Sequence, residues 1–447
     1  MSVFSKLDKV QKQAIGLLSI GTFLEYFDLM LYIHMAVLLN DLFFPATDPE
    51  TQKLLAAFAF STTFVFRPIG ALIFGYIGDT FGRKVTIVIT TFMMAVTCLI
   101  MANVPTYAQI GMAAAWIVTI CRALQGMSSL GEMVGAQLFL TEAIQLPARY
   151  PAVGLVSVLG SLGEVSALSI AALATSYNFN WRMAFWVGAG IALVGSAART
   201  TLRESPEFAD ARRRLESVAE RVHEDPRRLK KNAIYDQKVD KKTSLAYFLI
   251  KCTSPIFIYF VYIHSASMLK DSFGYSPHQV LVHNLFVGIF QLCGWAILRT
   301  YLSTRLYPLK ILQFAWAVTI IAAPFLPLAL NYISAPWHLF LIQSFMFLFI
   351  PNDFPASPIF FKNFPVFQRY KYVGTLYALA YASFYIVSSF GLTYLIRYFG
   401  NWGLLVIMLP VLIGYGYGIN YFKKLDLESG RYKQEMNIRA EAAKGLA

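Results

Sequence analysis

The chain has 447 residues, 57% hydrophobic and only 14% charged, with a formal net charge of +13. A soluble globular protein carries about 25% charged residues, so the composition excludes an ordinary aqueous domain and points to a membrane. The basic balance could suit nucleic acid, but it is confined to loops between apolar runs, which excludes that partner and suits anionic lipid.

Runs of about 20 apolar residues cross the hydrocarbon as helices. They occur here at residues 14–39, 54–78, 85–103, 107–140, 150–176 and 183–200, and again at 245–270, 278–298, 311–331, 337–361, 372–396 and 402–421. The pattern predicts an all-α integral membrane protein with twelve transmembrane helices in two six-helix bundles, residues 1–202 and 244–422. A linker at 203–243 divides them and a polar tail covers 423–447. Most Lys and Arg fall in alternate loops, whereas the opposite side holds only Lys53, Arg182, Lys270 and Arg397. That asymmetry places both termini in the cytoplasm. Met1 to Gln13 is polar and shows no cleavage site, so no cleavable leader is expected. The four cysteines lie in apolar runs without metal-type spacing and read as packing residues; no metal site or cofactor is expected.

The first span carries Glu25 and Asp28, three residues apart and therefore on one helix face, close to the bilayer midplane. Carboxylates at that depth should face a cavity or a partner. Tyr32 follows on the same helix, and His34 reads as a boundary histidine. The second span brings Arg67-Pro68-Ile69-Gly70 and ends in Gly75-Tyr76-Ile77-Gly78-Asp79-Thr80-Phe81-Gly82-Arg83-Lys84. Glycines there permit close helix approach, and Asp79, Arg83 and Lys84 sit at the water boundary. The fourth span contains Arg122, Gln125 and Gly126 near mid-depth, then Glu132, which fits a gate or a structural acid equally. Glu142 lies at its cytoplasmic end, where it is expected to join Gly75, Asp79, Gly82, Arg83 and Lys84 in a charged latch. The fifth span places Glu164 at mid-depth beside Gly160 and Gly163.

The linker shows apolar Leu215, Val218 and Val222 at helical spacing and reads as a short amphipathic connector. Lys251 lies near the start of the seventh span and is expected to snorkel to the cytoplasmic face. Arg299 and Arg305 fall in the loop after the eighth span, which lacks the acid and glycines of its first-half counterpart. The tenth span contains Pro351-Asn352-Asp353-Phe354-Pro355, whose prolines should break the helix and expose Asn352 and Asp353 to a solute path.

The loop at Gly75–Lys84 and the run Arg122-Ala-Leu-Gln-Gly126 resemble signatures of the major facilitator superfamily, which implies that superfamily's twelve-helix fold. Together with Gly21-Thr-Phe-Leu-Glu25-Tyr-Phe-Asp28, Arg67-Pro-Ile-Gly70, Gly131-Glu132 and Arg203-Glu-Ser-Pro-Glu-Phe208, they resemble the metabolite:proton symporter family, which includes proline/betaine, citrate, 2-oxoglutarate and shikimate transporters. The resemblance covers residues 16–208 and fades afterwards. It implies an importer in a bacterial-type inner membrane, with Glu25, Asp28 and Arg122 in the coupling site. The 25 residues after Phe422 are too few for the long coiled coil of the osmosensing branch.

The residues support proton coupling without the family. Three mid-depth acids (Glu25, Asp28, Glu164) face two fixed cations (Arg67, Arg122), leaving one negative charge uncompensated in a poorly solvated place. At least one carboxyl should then hold a proton near neutral pH, with Glu25 or Asp28 loading it and Arg122 toggling. Arg67, Glu164, Asn352, Asp353, Tyr32 and Gln125 are the expected substrate contacts. The chain is thus expected to be a monomeric, proton-coupled importer of a small polar metabolite and no enzyme. An exporter or uniporter of the same build is the nearest alternative, and a transporter-like sensor a more distant one.

Overall fold

The computed structural model describes residue 4 and residues 7–44, 62–176, 180–222 and 239–444. Lys53, the start of the second expected span and the middle of the linker lie outside these. Every described regular element is helical. In chain order the main helices are α1 (Lys9–Phe43), α2 (Arg67–Thr80), α3 (Arg83–Asn103), α4 (Met112–Leu130), α5 (Ala136–Ala143), α6 (Arg149–Ser176), α7 (Arg182–Arg199) and α8 (Pro206–Val222). They continue with α9 (Lys241–Lys251), α10 (Pro277–Trp295), α11 (Pro308–Ala322), α12 (Pro336–Leu348), α13 (Val366–Ile386), α14 (Gly403–Glu428) and α15 (Arg431–Lys444).

Each expected span falls on a helix or a broken helix, and seven described segments are long and apolar enough to cross a membrane. Two of the others, the fourth and the tenth, are interrupted for visible reasons. The fourth opens into a wide turn at Gly131–Gly135, of the kind that re-aims side chains at functional sites. The tenth stops at Leu348 and resumes only at Ser357–Phe361, as its prolines require. The carbonyls freed by that break do not go unpaired. Arg299 donates to Ile350 O at 2.6 Å, Thr319 Oγ1 to Phe349 O at 2.8 Å and the Tyr415 hydroxyl to Asn352 O at 2.6 Å. Irregular backbone at membrane depth survives only with such partners.

The halves of the chain meet along two seams, α2 on α13 and α6 on α10. Close approach at the first seam depends on Gly75, where a Cβ would come within 2.8 Å of the Lys371 Cα. Gly82 has φ 120°, a conformation costly for any residue with a side chain, and its missing Cβ leaves room for the Glu204 carboxylate. That carboxylate accepts from Arg83 N at 3.0 Å and Lys84 N at 3.3 Å, satisfying orphan donors at the start of α3. Large apolar side chains such as Trp116, Val194 and Ile321 are exposed, as a lipid-facing surface requires. Cys293, read as a packing residue, is also exposed.

The soluble parts make contacts that the apolar pattern does not show. In α8, Leu215 is buried but Val218 is 45% exposed, and the residue that docks the helix is Phe208, against Phe367 and under the Arg83 guanidinium. The polar tail is helical over most of its length. α15 packs beneath the membrane domain, with Glu435 only 3% exposed. Glu435 accepts from the Tyr150 hydroxyl at 2.7 Å and pairs with Arg439 at 2.9 Å. Arg439 in turn donates to the carbonyls of Ser303 and Leu306, so the helix touches both halves of the chain.

Burial raises the Glu435 pKa above its ordinary 4.5, although Tyr150 and Arg439 pull the other way. The docked helix therefore keeps the Glu435 proton to a higher pH than the undocked helix does, and docking is favoured at low pH. That advantage is complete below about 4.5 and disappears as pH rises through the raised value. Amide exchange over 431–444 should accordingly quicken with rising pH beyond the intrinsic rate. Glu435→Gln, neutral at every pH, should flatten this extra dependence.

Candidate functional site

A cavity of about 50 Å³ lies between the halves, lined by Tyr26, Met30, Glu164, Gln291, Trp295, Asn352, Asp353 and Tyr381 among others. A water needs about 10–15 Å³ of space measured for its centre, so the cavity in this conformation admits a few waters. Around and beside it the sequence places charged side chains in pairs.

Glu25 and Asp28 share a face of α1 but turn to different partners. Arg122 Nη1 donates to Asp28 Oδ2 at 2.9 Å and to Gln125 Oε1 at 2.8 Å, and Gln125 Nε2 donates to Asp28 Oδ1 at 3.0 Å. The Tyr32 ring lies under the Arg122 guanidinium at 4.0 Å, a cation–π contact that partly replaces lost hydration. Arg67 Nη2 donates to Glu25 Oε1 at 3.2 Å, while its Nη1 donates to the Tyr377 hydroxyl at 3.0 Å. Four of the expected residues (Asp28, Tyr32, Arg122 and Gln125) thus form one cluster, and Glu25 with Arg67 forms a second.

The second half corrects the charge count. Lys251 does not snorkel: it is 3% exposed and pairs with Asp353 at 2.7 Å, because the broken tenth span brings that acid to it. Arg299, read as a loop residue, is 1% exposed and donates to Asn352 Oδ1 at 2.6 Å. With both counted, Glu25, Asp28, Glu164 and Asp353 balance Arg67, Arg122, Lys251 and Arg299, so the overall negative excess expected from the first half is absent. What remains is local. Glu164 lines the cavity, and its Oε1 is buried without a hydrogen-bond partner among the described residues. Arg67 Nε, Arg122 Nε and the Tyr32 hydroxyl are likewise buried and unpartnered. Of these, only Glu164 lines the cavity; the others lie within the two ion-pair clusters.

The expected latch residues meet where α2 turns into α3. Arg83 pairs with Asp79 at 3.0 Å and Glu142 at 3.1 Å. Asp79 also accepts from Tyr370 N at 3.1 Å and Lys371 N at 2.8 Å, so a first-half acid receives the backbone donors of a second-half helix. Lys84 takes part through its backbone amide, and no ion pair of its side chain is among the described contacts. Sequence reasoning missed Arg369, which pairs with Glu142 at 3.0 Å and Glu207 at 2.9 Å, and it missed the part of Glu204. It also missed Tyr377, although Tyr377, Tyr381 and Tyr385 recur every fourth residue and so form one stripe of α13. Glu132 falls in the wide turn of the fourth span, and its side chain lies outside the described set.

Helices of both halves packed around buried ion pairs, many of them long and apolar enough to cross a membrane, define a multi-pass membrane protein. The chain belongs to the Major Facilitator Superfamily, which it matches over residues 18–392. It is 32% identical over 204 residues to the proline/betaine transporter of Escherichia coli K12, a match covering 44% of this chain and 41% of that protein. A putative proline/betaine transporter of Staphylococcus aureus COL is 32% identical over 209 residues, 45% of each. The match therefore spans under half the length of these relatives. Among solved structures the chain resembles the proton:xylose symporter XylE (TM-score 0.73, 15% identity, 93% of this chain and 95% of that one). It also resembles the human organic anion transporter MFSD10 (TM-score 0.63, 15% identity, 93% and 98%). At such identities the likeness concerns the fold.

Proposed function

We propose that this protein is a proton-coupled secondary active transporter that imports a small polar metabolite by alternating access. The solute is an organic acid, a zwitterionic amino acid or betaine, or a polycarboxylate. The observation that carries the reading is the pair of buried carboxylate–guanidinium contacts, Asp28–Arg122 and Glu25–Arg67, set by α1, α2 and α4. A salt bridge buried this deeply is weak grounds for stability but well suited to switching. A proton loaded on Asp28 or Glu25 frees its arginine, and the freed charge lets one half rock against the other. Entry of the proton down a membrane potential supplies about 2.3 kcal/mol per 100 mV. The reading places the protein as a monomer in a bacterial-type inner membrane, with cytoplasmic termini.

In this scheme Arg67 takes a solute carboxylate through its unpartnered Nε and the Nη2 that a protonated Glu25 releases, and Glu164, Asn352, Asp353, Tyr32 and Gln125 complete the contacts. Arg67→Lys cannot reproduce a bidentate grip, so affinity for an acidic solute should fall about tenfold or more. Binding measured as thermal stabilisation would check this, and an unchanged affinity would remove Arg67 from the substrate site. The whole proposal is tested in proteoliposomes with a dye for internal pH. Solutes from a panel of organic acids, amino acids and betaines that raise the melting temperature should each drive proton entry. Solute flux without proton movement would favour a uniporter instead.

A further inference from the structure

Tyr377 sits between two ion pairs that belong to different halves of the chain. Its hydroxyl is engaged entirely with the first half, accepting from Arg67 Nη1 at 3.0 Å and donating to Met133 Sδ at 3.0 Å. Its ring faces the second half, with Lys251 Nζ 5.2 Å from the ring centroid, inside the range of a cation–π contact. Arg67 is the partner of Glu25 and Lys251 the partner of Asp353. The side chain is fully buried, and the Tyr381 ring, 4.3 Å away, packs beside it.

We infer that Tyr377 is a positioning residue that couples the Glu25–Arg67 pair to the Lys251–Asp353 pair across the interface between the halves. A phenol is rigid beyond its two torsions, so its hydroxyl and its ring face cannot move independently. If Glu25 is neutralised, Arg67 leans on the phenol oxygen and draws the ring with it, and Lys251 then depends more on Asp353. If α13 swings away from α2, the hydroxyl leaves Arg67 while the ring stays with Lys251, and Glu25 becomes the acid on which Arg67 relies. Either way a change at one pair alters the other. The place of this link in a transport cycle rests on the reading above, but the energetic link itself does not.

The test is a cycle of melting temperatures on the purified full-length chain. Glu25→Gln, Asp353→Asn and the double variant are compared in the wild-type background and again with Tyr377→Phe. In the wild type the double variant should depart from the sum of the single shifts, and with Tyr377→Phe the shifts should add. Additivity in the wild type, or non-additivity that survives Tyr377→Phe, overturns the inference. Should a carboxamide variant fail to fold, Arg67→Gln and Lys251→Gln close the same cycle. In proteoliposomes, Tyr377→Phe should slow concentrative uptake about tenfold, the value of one hydrogen bond to a charge, with equilibrium exchange unchanged. Tyr377→Leu, which also removes the ring, should slow both. Full concentrative uptake by Tyr377→Phe would end the coupling role and leave the transport reading intact. Absence of transport by the wild type would end the transport reading, and the melting cycle would still decide on Tyr377.

Discussion

Asp28→Asn is expected to abolish concentrative uptake while leaving solute exchange in place. The amide has the size of the acid and can still accept from Gln125, so the cluster keeps its shape. It cannot carry or release a proton, and it leaves the Arg122 guanidinium buried without its anion. Removing one member of a buried pair costs about 3–5 kcal/mol, part of which the Tyr32 ring and the Gln125 carbonyl offset here. Accumulation against a gradient and counterflow in the same proteoliposomes separate the two activities. Accumulation at the wild-type level would eliminate Asp28 from coupling.

Asp79→Asn is expected to loosen the seam between α2 and α13. Asp79 holds Arg83 with one oxygen and the Tyr370 and Lys371 amides with the two, so its charge serves both halves. An asparagine would turn an amide donor toward one of these donors and remove the anion from Arg83, leaving Glu142 to hold that cation. A loss of about 3 kcal/mol, the lower end for a broken buried pair, changes a two-state ratio by about a hundredfold. Deuterium uptake over 366–372 should therefore accelerate strongly, as α13 leaves α2. Wild-type protection at those amides would mean that Asp79 does not hold the halves together.

The residues that carry charge at depth were legible wherever the surrounding run was uniformly apolar. Glu25, Asp28, Arg67 and Arg122 stand out because an ionisable side chain far from either end of a membrane helix has no solvent to reach. The break in the tenth span was legible from its prolines. Lys251 and Arg299 were misread because each lies near an expected helix end, where the same residue types usually reach water. Their burial depends on where the broken segment 349–356 folds back, and no local pattern encodes that. The docking of α15 was missed for a related reason. Its sequence is polar, and contacts that hold it, such as Glu435 with Tyr150 and Tyr432 with Tyr307, come from residues more than a hundred positions away.

The sequence by itself determined the membrane character, the positions of the spans and the acids and arginines of the first half. Each follows from hydropathy, loop charge and the cost of burying a charge, which act over one helix at a time. The tertiary structure alone decided who pairs with whom: Asp28 with Arg122 rather than Arg67, Lys251 with Asp353, and Tyr377 between the halves. Those choices depend on how helices distant in sequence are rotated and spaced, because an ion pair needs its atoms within about 4 Å, and only packing sets that distance.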